Sequence, residues 1–327
     1  ATGLHRPNEG KELEELIGDP WVLQNTKVEN HFARDDSAHI EVGTTKKGNR
    51  ILLDRRFVSA DVRIVTGLVE PHFMAGYSGG RKVIAPGVAH AETITTFHSS
   101  RYMEDPLATN CNLDGNPLHE DQLEIVEMVG GALAMNVVID EFRNLSFINF
   151  GEIISSHLEA VAFIRKYAEV KVPRRFKTVL TSCAGHPLDL TYYQTVKGMV
   201  GPLDILDKGG DLIIVSSCIE GMGSEEFIAA QKRLVEMGPS GFLNAITQKQ
   251  YADIDEWQTE MQLKPMRVGS IHLYSEGLSE KDWFATGVNK VDNLQNCIEQ
   301  SFVRHKQNKI AVIPEGPYVI PFLSNDA

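Results

Sequence analysis

The sequence is poor in cysteine. It has 4 in 327 residues, Cys111, Cys183, Cys218 and Cys297, and no CxxC. That excludes a disulfide framework and a structural zinc site, and leaves four separate thiols of a reducing compartment. Long apolar runs are also missing, so no membrane span is expected. Positive charge is short: 32 Lys and Arg stand against 44 Asp and Glu, a formal net charge of -12. A surface for nucleic acid or anionic lipid needs the opposite balance. No GxGxxG followed by an acidic residue at the dinucleotide distance occurs, which ranks an NAD-dependent 2-hydroxyacid dehydrogenase low. The sequence begins ATGLHRP, with no initiating methionine and no signal-peptide pattern. Upstream residues are therefore expected to be missing, and a cytoplasmic location is the expectation.

What is present is a globular composition with 42% hydrophobic residues, enough for two ordinary domains. Asn8 to Gly18 predicts a helix, capped by Asn8 and ended by Gly18. HIEVGTTKKGNRILLDRRF predicts two strands around a turn at Lys47-Gly48-Asn49. DVRIVTGLVE predicts another strand, which delivers the chain into Pro71-His72. A helix is predicted from Pro117 to Val129, with Asn116 as its cap. NVVID and LSFINF read as strands, and HLEAVAFIRKYAEV as an amphipathic helix. Beyond Arg175, KTVLTSCAG, DLIIVSSCIEG, RVGSIHLYSEG and NKIAVIPEG read as strands, with helices such as SEEFIAAQKRLVEMG between them. That rhythm predicts a mostly parallel, covered sheet with ligands at the carboxyl ends of strands.

The fold class expected is α/β, as two α/β domains with a cofactor and substrate cleft between them. Residues 1–172 would form the first domain and 173–305 the second, with the tail 306–327 returning to the first.

PHFMAGYSGGRK, from Pro71 to Lys82, concentrates the chemistry. Gly76, Gly79 and Gly80 permit backbone shapes in which successive N–H groups cradle an anion, with Ser78 and Arg81 assisting. The plainer alternative is a tight turn with Arg81 and Lys82 solvated. A Walker loop fits poorly, because Arg81 and Val83 flank the lysine. Lys82 in a desolvated site can serve as a nucleophile. His5 precedes a helix start, His72 ends a strand, and His98 follows a threonine-rich run. None has the spacing of a compact metal site. In LTYYQTVKGM, Gln194 and Lys197 share a helix face, and Tyr193 adjoins Gln194. Trp257 in DEWQTEMQ is an amphipathic anchor or a lid.

Taken together these segments resemble the nickel-pincer lactate racemases and their 2-hydroxyacid racemase and epimerase relatives. GLVEPHFMAGYSGGRK followed by His98 carries most of the likeness. TGLHRP, YYQTVKG, the EWQ around Trp257 and VIPEGPYVIP extend it over nearly the whole chain.

The resemblance implies a nickel ion and a pyridinium-3,5-bisthiocarboxylate-type mononucleotide attached covalently at Lys82. It implies His98 as nickel ligand, beside Lys82, and His5 and His72 as paired acid/bases. Gln194, Lys197 and Trp257 would meet the substrate, with Tyr193 lining the site as a cofactor-binding residue. Ser78, Gly79, Gly80 and Arg81 would hold the nucleotide phosphate. The partners implied are a small 2-hydroxyacid and the proteins that make the cofactor, with no nucleic acid and no membrane. The family also carries an Asp and a carboxylate-clamping Arg before the TGLHRP motif. This sequence starts after them, which leaves Lys197 as a candidate for the carboxylate. A catalytically silent nucleotide- or metabolite-binding relative is the rival from a different class.

Overall fold

A computed structural model describes residues 1–324. Its residues form two compact units that do not follow chain order. One gathers Ala1–Val69, Ser78–Phe97 and His119–Ala160; the other gathers Glu70–Tyr77, His98–Leu118 and the chain from Val161 on.

In the first unit, the strands His39–Thr44 and Arg50–Asp54 pair antiparallel. Their turn is closed by Thr45 and Asn49, and Asn49 Nδ2 and Lys47 Nζ both reach the buried Asp121 carboxylate, at 2.7 and 2.9 Å. The second sheet is Ile64–Leu68, Leu133–Ile139 and Leu145–Glu152. Its first pair is parallel and its second antiparallel. Alternation selects the faces: Ala134, Asn136 and Val138 are buried, while Leu133, Met135 and Ile139 are exposed. Buried Asn136 donates to Asn149 and Ser156, so its burial costs little on that side. The first helix is Gly10–Ile17, ended by Gly18 in the left-handed conformation. Its cap is Glu9, not Asn8. Asn8 is tied instead to Asn30, backbone to side chain in both directions.

The second unit holds the expected parallel sheet. Its order is Asn289–Lys290, Ser270–Tyr274, Leu206–Val215, Phe176–Ser182, Ala311–Ile313, all parallel. The apolar run Leu212–Ile214 lies fully buried at its centre, as a strand covered on both faces should. The later strand Ile320–Leu323 pairs in parallel with Glu169–Val172. The helix that begins at Glu225 breaks at Gly238 and restarts at Pro239, which fits a first-turn position. Ala230, Leu234, Phe242, Ile246 and Leu263 form a core between its two halves and the helix Glu256–Val268.

Candidate active site

In the first unit the glycine loop leaves the strand Ile64–Leu68 and enters the short helix Arg81–Ile84. Gly79 and Gly80 both have positive φ, 75° and 49°. A Cβ on Gly79 would lie 2.6 Å from Val69, and one on Gly80 2.7 Å from the His157 ring. These glycines are required by backbone shape and by close approach together. Ser78 Oγ donates to the Leu68 carbonyl at 2.8 Å, and Lys82 N–H closes the turn on the Gly79 carbonyl at 3.0 Å.

Arg81 is neither solvated nor on the loop's rim. It is 2% exposed, with Nε donating to His119 Nδ1 at 2.9 Å and Nη1 3.0 Å from His157 Nε2. His157 Nε2 also donates to the Ser78 carbonyl at 2.8 Å. Burial lowers the Arg81 pKa to about 9. Burial and then the Arg81 charge lower His119 to about 4 and His157 to about 3. Both imidazoles are therefore neutral near pH 7; His119 Nδ1 accepts from the guanidinium, while His157 packs beside it with its Nε2 proton committed to the Ser78 carbonyl. Nothing in the sequence around His119 or His157 links them to the loop, because both stand on later helices.

Lys82 is half-buried, in the first unit with the loop. His5 is exposed in a turn whose N–H bonds the Thr2 carbonyl. Gly3 N–H bonds the Gly87 carbonyl at 3.0 Å, which ties the TGLHRP segment to the chain just after the short helix.

In the second unit, Pro71–His72 and Gly76–Tyr77 form a minimal hairpin. His72 is half-buried, and its Nδ1 accepts from Met74 N–H at 3.4 Å and Ala75 N–H at 3.2 Å. His98 and Trp257 are both buried, with ring centroids 4.4 Å apart at 41°. Trp257 Nε1 donates to Tyr193 Oη at 3.1 Å, and Gln258 Nε2 donates to the Tyr193 carbonyl. Three residues from distant parts of the sequence thus form one contact chain, and Trp257 is a packed residue.

Tyr193, Gln194 and Lys197 share the helix Tyr192–Val200, whose Thr191 cap accepts from Gln194 N–H. Among the described residues, Gln194 Oε1 is a buried acceptor with no donor. Lys197 is held below the ordinary amine range by burial, an effect that the nearby Glu70 carboxylate opposes. Burial also pushes the neighbouring Cys183 thiol up to about 12, so it is no thiolate nucleophile.

The helix Glu256–Val268 carries a feature that its polar sequence hides. Trp257 meets His98, Lys264 Nζ reaches the Ala108 carbonyl at 3.5 Å, and Arg267 pairs with Glu104 at 2.6 Å. Glu260 lies between them, 1% exposed. Burial, and then the Glu104 charge, raise its pKa to about 8. Among the described residues no group of three or more His, Cys, Asp and Glu is placed to hold a metal ion, and no helix is long and apolar enough to cross a membrane.

A family model described as the lactate racemase N-terminal domain matches residues 1–110, and one described as the lactate racemase C-terminal domain matches residues 173–321. The lactate racemases of Thermoanaerobacterium thermosaccharolyticum and Lactiplantibacillus plantarum are each 30% identical over 325 residues, spanning 98% of this chain and 75% of the relative. The solved lactate racemase apoprotein of T. thermosaccharolyticum superposes with a TM-score of 0.92 at 28% identity, covering 98% of this chain and 77% of that one. A Thermotoga maritima protein of known structure shares the fold at a TM-score of 0.75 and 18% identity, over 99% of this chain and 84% of its own. Two family models that run over most of the chain, with relatives at this identity over this length, make the chain a member of the lactate racemase family and an isomerase of the racemase class.

Proposed function

We propose that this chain racemises a small 2-hydroxyacid of the lactate type, using a nickel-pincer mononucleotide carried by Lys82. The observation that carries this reading is the contact chain His98–Trp257–Tyr193, which gathers three residues of the family pattern in one unit. The donor set fits the cofactor. His98 offers a single imidazole to a nickel ion, and a pincer that brings its own sulfur donors needs no cluster of protein ligands. When bound, that group supplies an acceptor for the hydrogen on the substrate's α-carbon.

The protein's own residues do the rest. His5 and His72 hold and move the hydroxyl proton, one for each face of the planar keto acid. Imidazole suits both directions because its ordinary pKa lies near neutrality. Lys197, with Glu70 supporting its charge, attracts the substrate carboxylate. Gln194 Oε1 is a ready acceptor for a substrate hydroxyl. The glycine loop offers backbone N–H groups to the nucleotide phosphate, with Arg81 as a buried cation behind it.

The test is to load the protein with cofactor, supply pure D- or L-lactate, and follow the opposite enantiomer by chiral chromatography. Malate and longer hydroxyacids serve as the comparison panel. Loaded protein that leaves every enantiomer of the panel unchanged would remove the reading.

A further inference from the structure

The turn Phe73–Gly76 is held from outside by the Asn116 side chain. Asn116 is fully buried at the start of the helix Pro117–Met128. Its Oδ1 accepts from Leu118 N–H at 3.0 Å, capping the helix. Its Nδ2 donates to the Met74 carbonyl at 2.9 Å and to the Asn112 carbonyl at 3.0 Å. A second tie, Cys111 N–H to the Gly76 carbonyl at 3.0 Å, secures the far end of the turn.

The Met74 carbonyl and the Ala75 N–H belong to one peptide group. In a trans peptide these two bonds point in opposite directions, and the described cis bonds are elsewhere, at Ala85-Pro86 and His186-Pro187. A donor that draws the Met74 oxygen one way therefore aims the Ala75 N–H the other way. There it meets His72 Nδ1 at 3.2 Å, and Met74 N–H joins it at 3.4 Å. A ring nitrogen that accepts N–H groups must present its lone pair. The neutral ring then carries its single proton on Nε2.

We infer that Asn116 is a positioning residue that sets the tautomer of His72, acting through the Met74–Ala75 peptide. In this arrangement His72 offers an N–H from Nε2. To take a proton at Nε2, the ring must instead carry one on Nδ1, and the Ala75 N–H must first turn away. The turn thus holds His72 as a hydrogen-bond donor until it shifts. The catalytic meaning rests on the role proposed for His72 above; the tautomer itself does not.

The experiment is long-range proton–nitrogen NMR on the whole chain with ¹⁵N-labelled histidine, with His72→Gln to assign the signal. The wild-type spectrum should show His72 protonated at Nε2, with a lone-pair shift at Nδ1. Asn116→Asp keeps the capping oxygen but sets an acceptor against the Met74 carbonyl. Asn116→Ser keeps a cap but is too short to reach that carbonyl. In both, the His72 signal should move toward the Nδ1-protonated form, with circular dichroism reporting an intact fold. Wild-type His72 protonated on Nδ1 would overturn the inference, as would either folded variant keeping the wild-type pattern. Racemisation by His72→Gln is measured separately. A loaded His72→Gln protein that stays active removes the catalytic assignment and leaves the tautomer result standing.

Discussion

Trp257 packs its indole at 41° against the buried His98 ring while its N–H is held by Tyr193 Oη at 3.1 Å. Neither residue is near the other in sequence, and the indole fixes where the imidazole can turn. Trp257→Phe keeps an apolar ring but removes the donor to Tyr193. A cost of about 1 kcal/mol is expected. Trp257→Ala removes the ring and should cost about 3–5 kcal/mol. Urea unfolding curves of the two variants should rank in that order.

Glycine at 80 is a steric demand as well as a conformational one. Gly80→Ala would place a methyl 2.7 Å from the His157 ring at φ 49°, so a loss of at least about 2 kcal/mol is expected. Gly130 has a comparable φ of 75°, with no atom of the described residues within 4 Å of where a methyl would stand. Gly130→Ala should cost only about 1 kcal/mol. Equal urea midpoints for the two variants would contradict the close approach.

Glu260 makes stability depend on pH in a definite direction. Its folded pKa is raised from 4.5 to about 8, by burial first. The folded chain therefore holds a proton that the unfolded chain has released. Its contribution to stability is present below pH 4.5 and is lost as pH rises toward 8. Glu260→Gln keeps the neutral shape without the proton. Relative to wild type it should gain stability between pH 5 and pH 8, at about 1.4 kcal/mol per pKa unit. Denaturant titrations at both pH values decide the sign. A variant gaining more at pH 5 than at pH 8 would be incompatible with a buried neutral carboxyl.

His5→Ala and His72→Ala should each stop racemisation in both directions. Under the proposed function each enantiomer would lose its proton to one histidine and regain one from the other, so one missing base would block the whole cycle. Acid–base groups of this kind are worth about 10²–10⁴-fold in rate. Chiral chromatography from each pure enantiomer gives the rates, and circular dichroism reports the fold. A folded His72→Ala enzyme at near-native rate would eliminate the two-base scheme.

Much of this was legible in the sequence because the relevant signals are local. Apolar runs such as DLIIV became the central strand, and Asn116 before Pro117 marked a helix start. The glycines before Arg81 marked a tight loop. What stayed hidden depends on distant contacts. Arg81 looks like surface charge until His119 and His157 arrive from later helices to bury it. The string DEWQTEMQ looks solvated, yet Glu256–Leu263 are all buried, because neighbouring helices supply hydrogen bonds to Gln258 and Gln262. A cap at Asn8 failed because its partner, Asn30, lies well downstream.

The interleaving of the two compact units has a consequence for how the chain is made. His72 and His98 leave the ribosome early, but both lie in segments that pack with residues from Val161 onward. His98 must wait for Trp257, and Glu169–Val172 must wait for Ile320–Leu323, almost the last residues described. Late, long-range closure of this kind slows folding and leaves apolar surface uncovered during synthesis. A nascent chain cut short before Ile320 would hold both histidines and yet leave Glu169–Val172 without its partner strand.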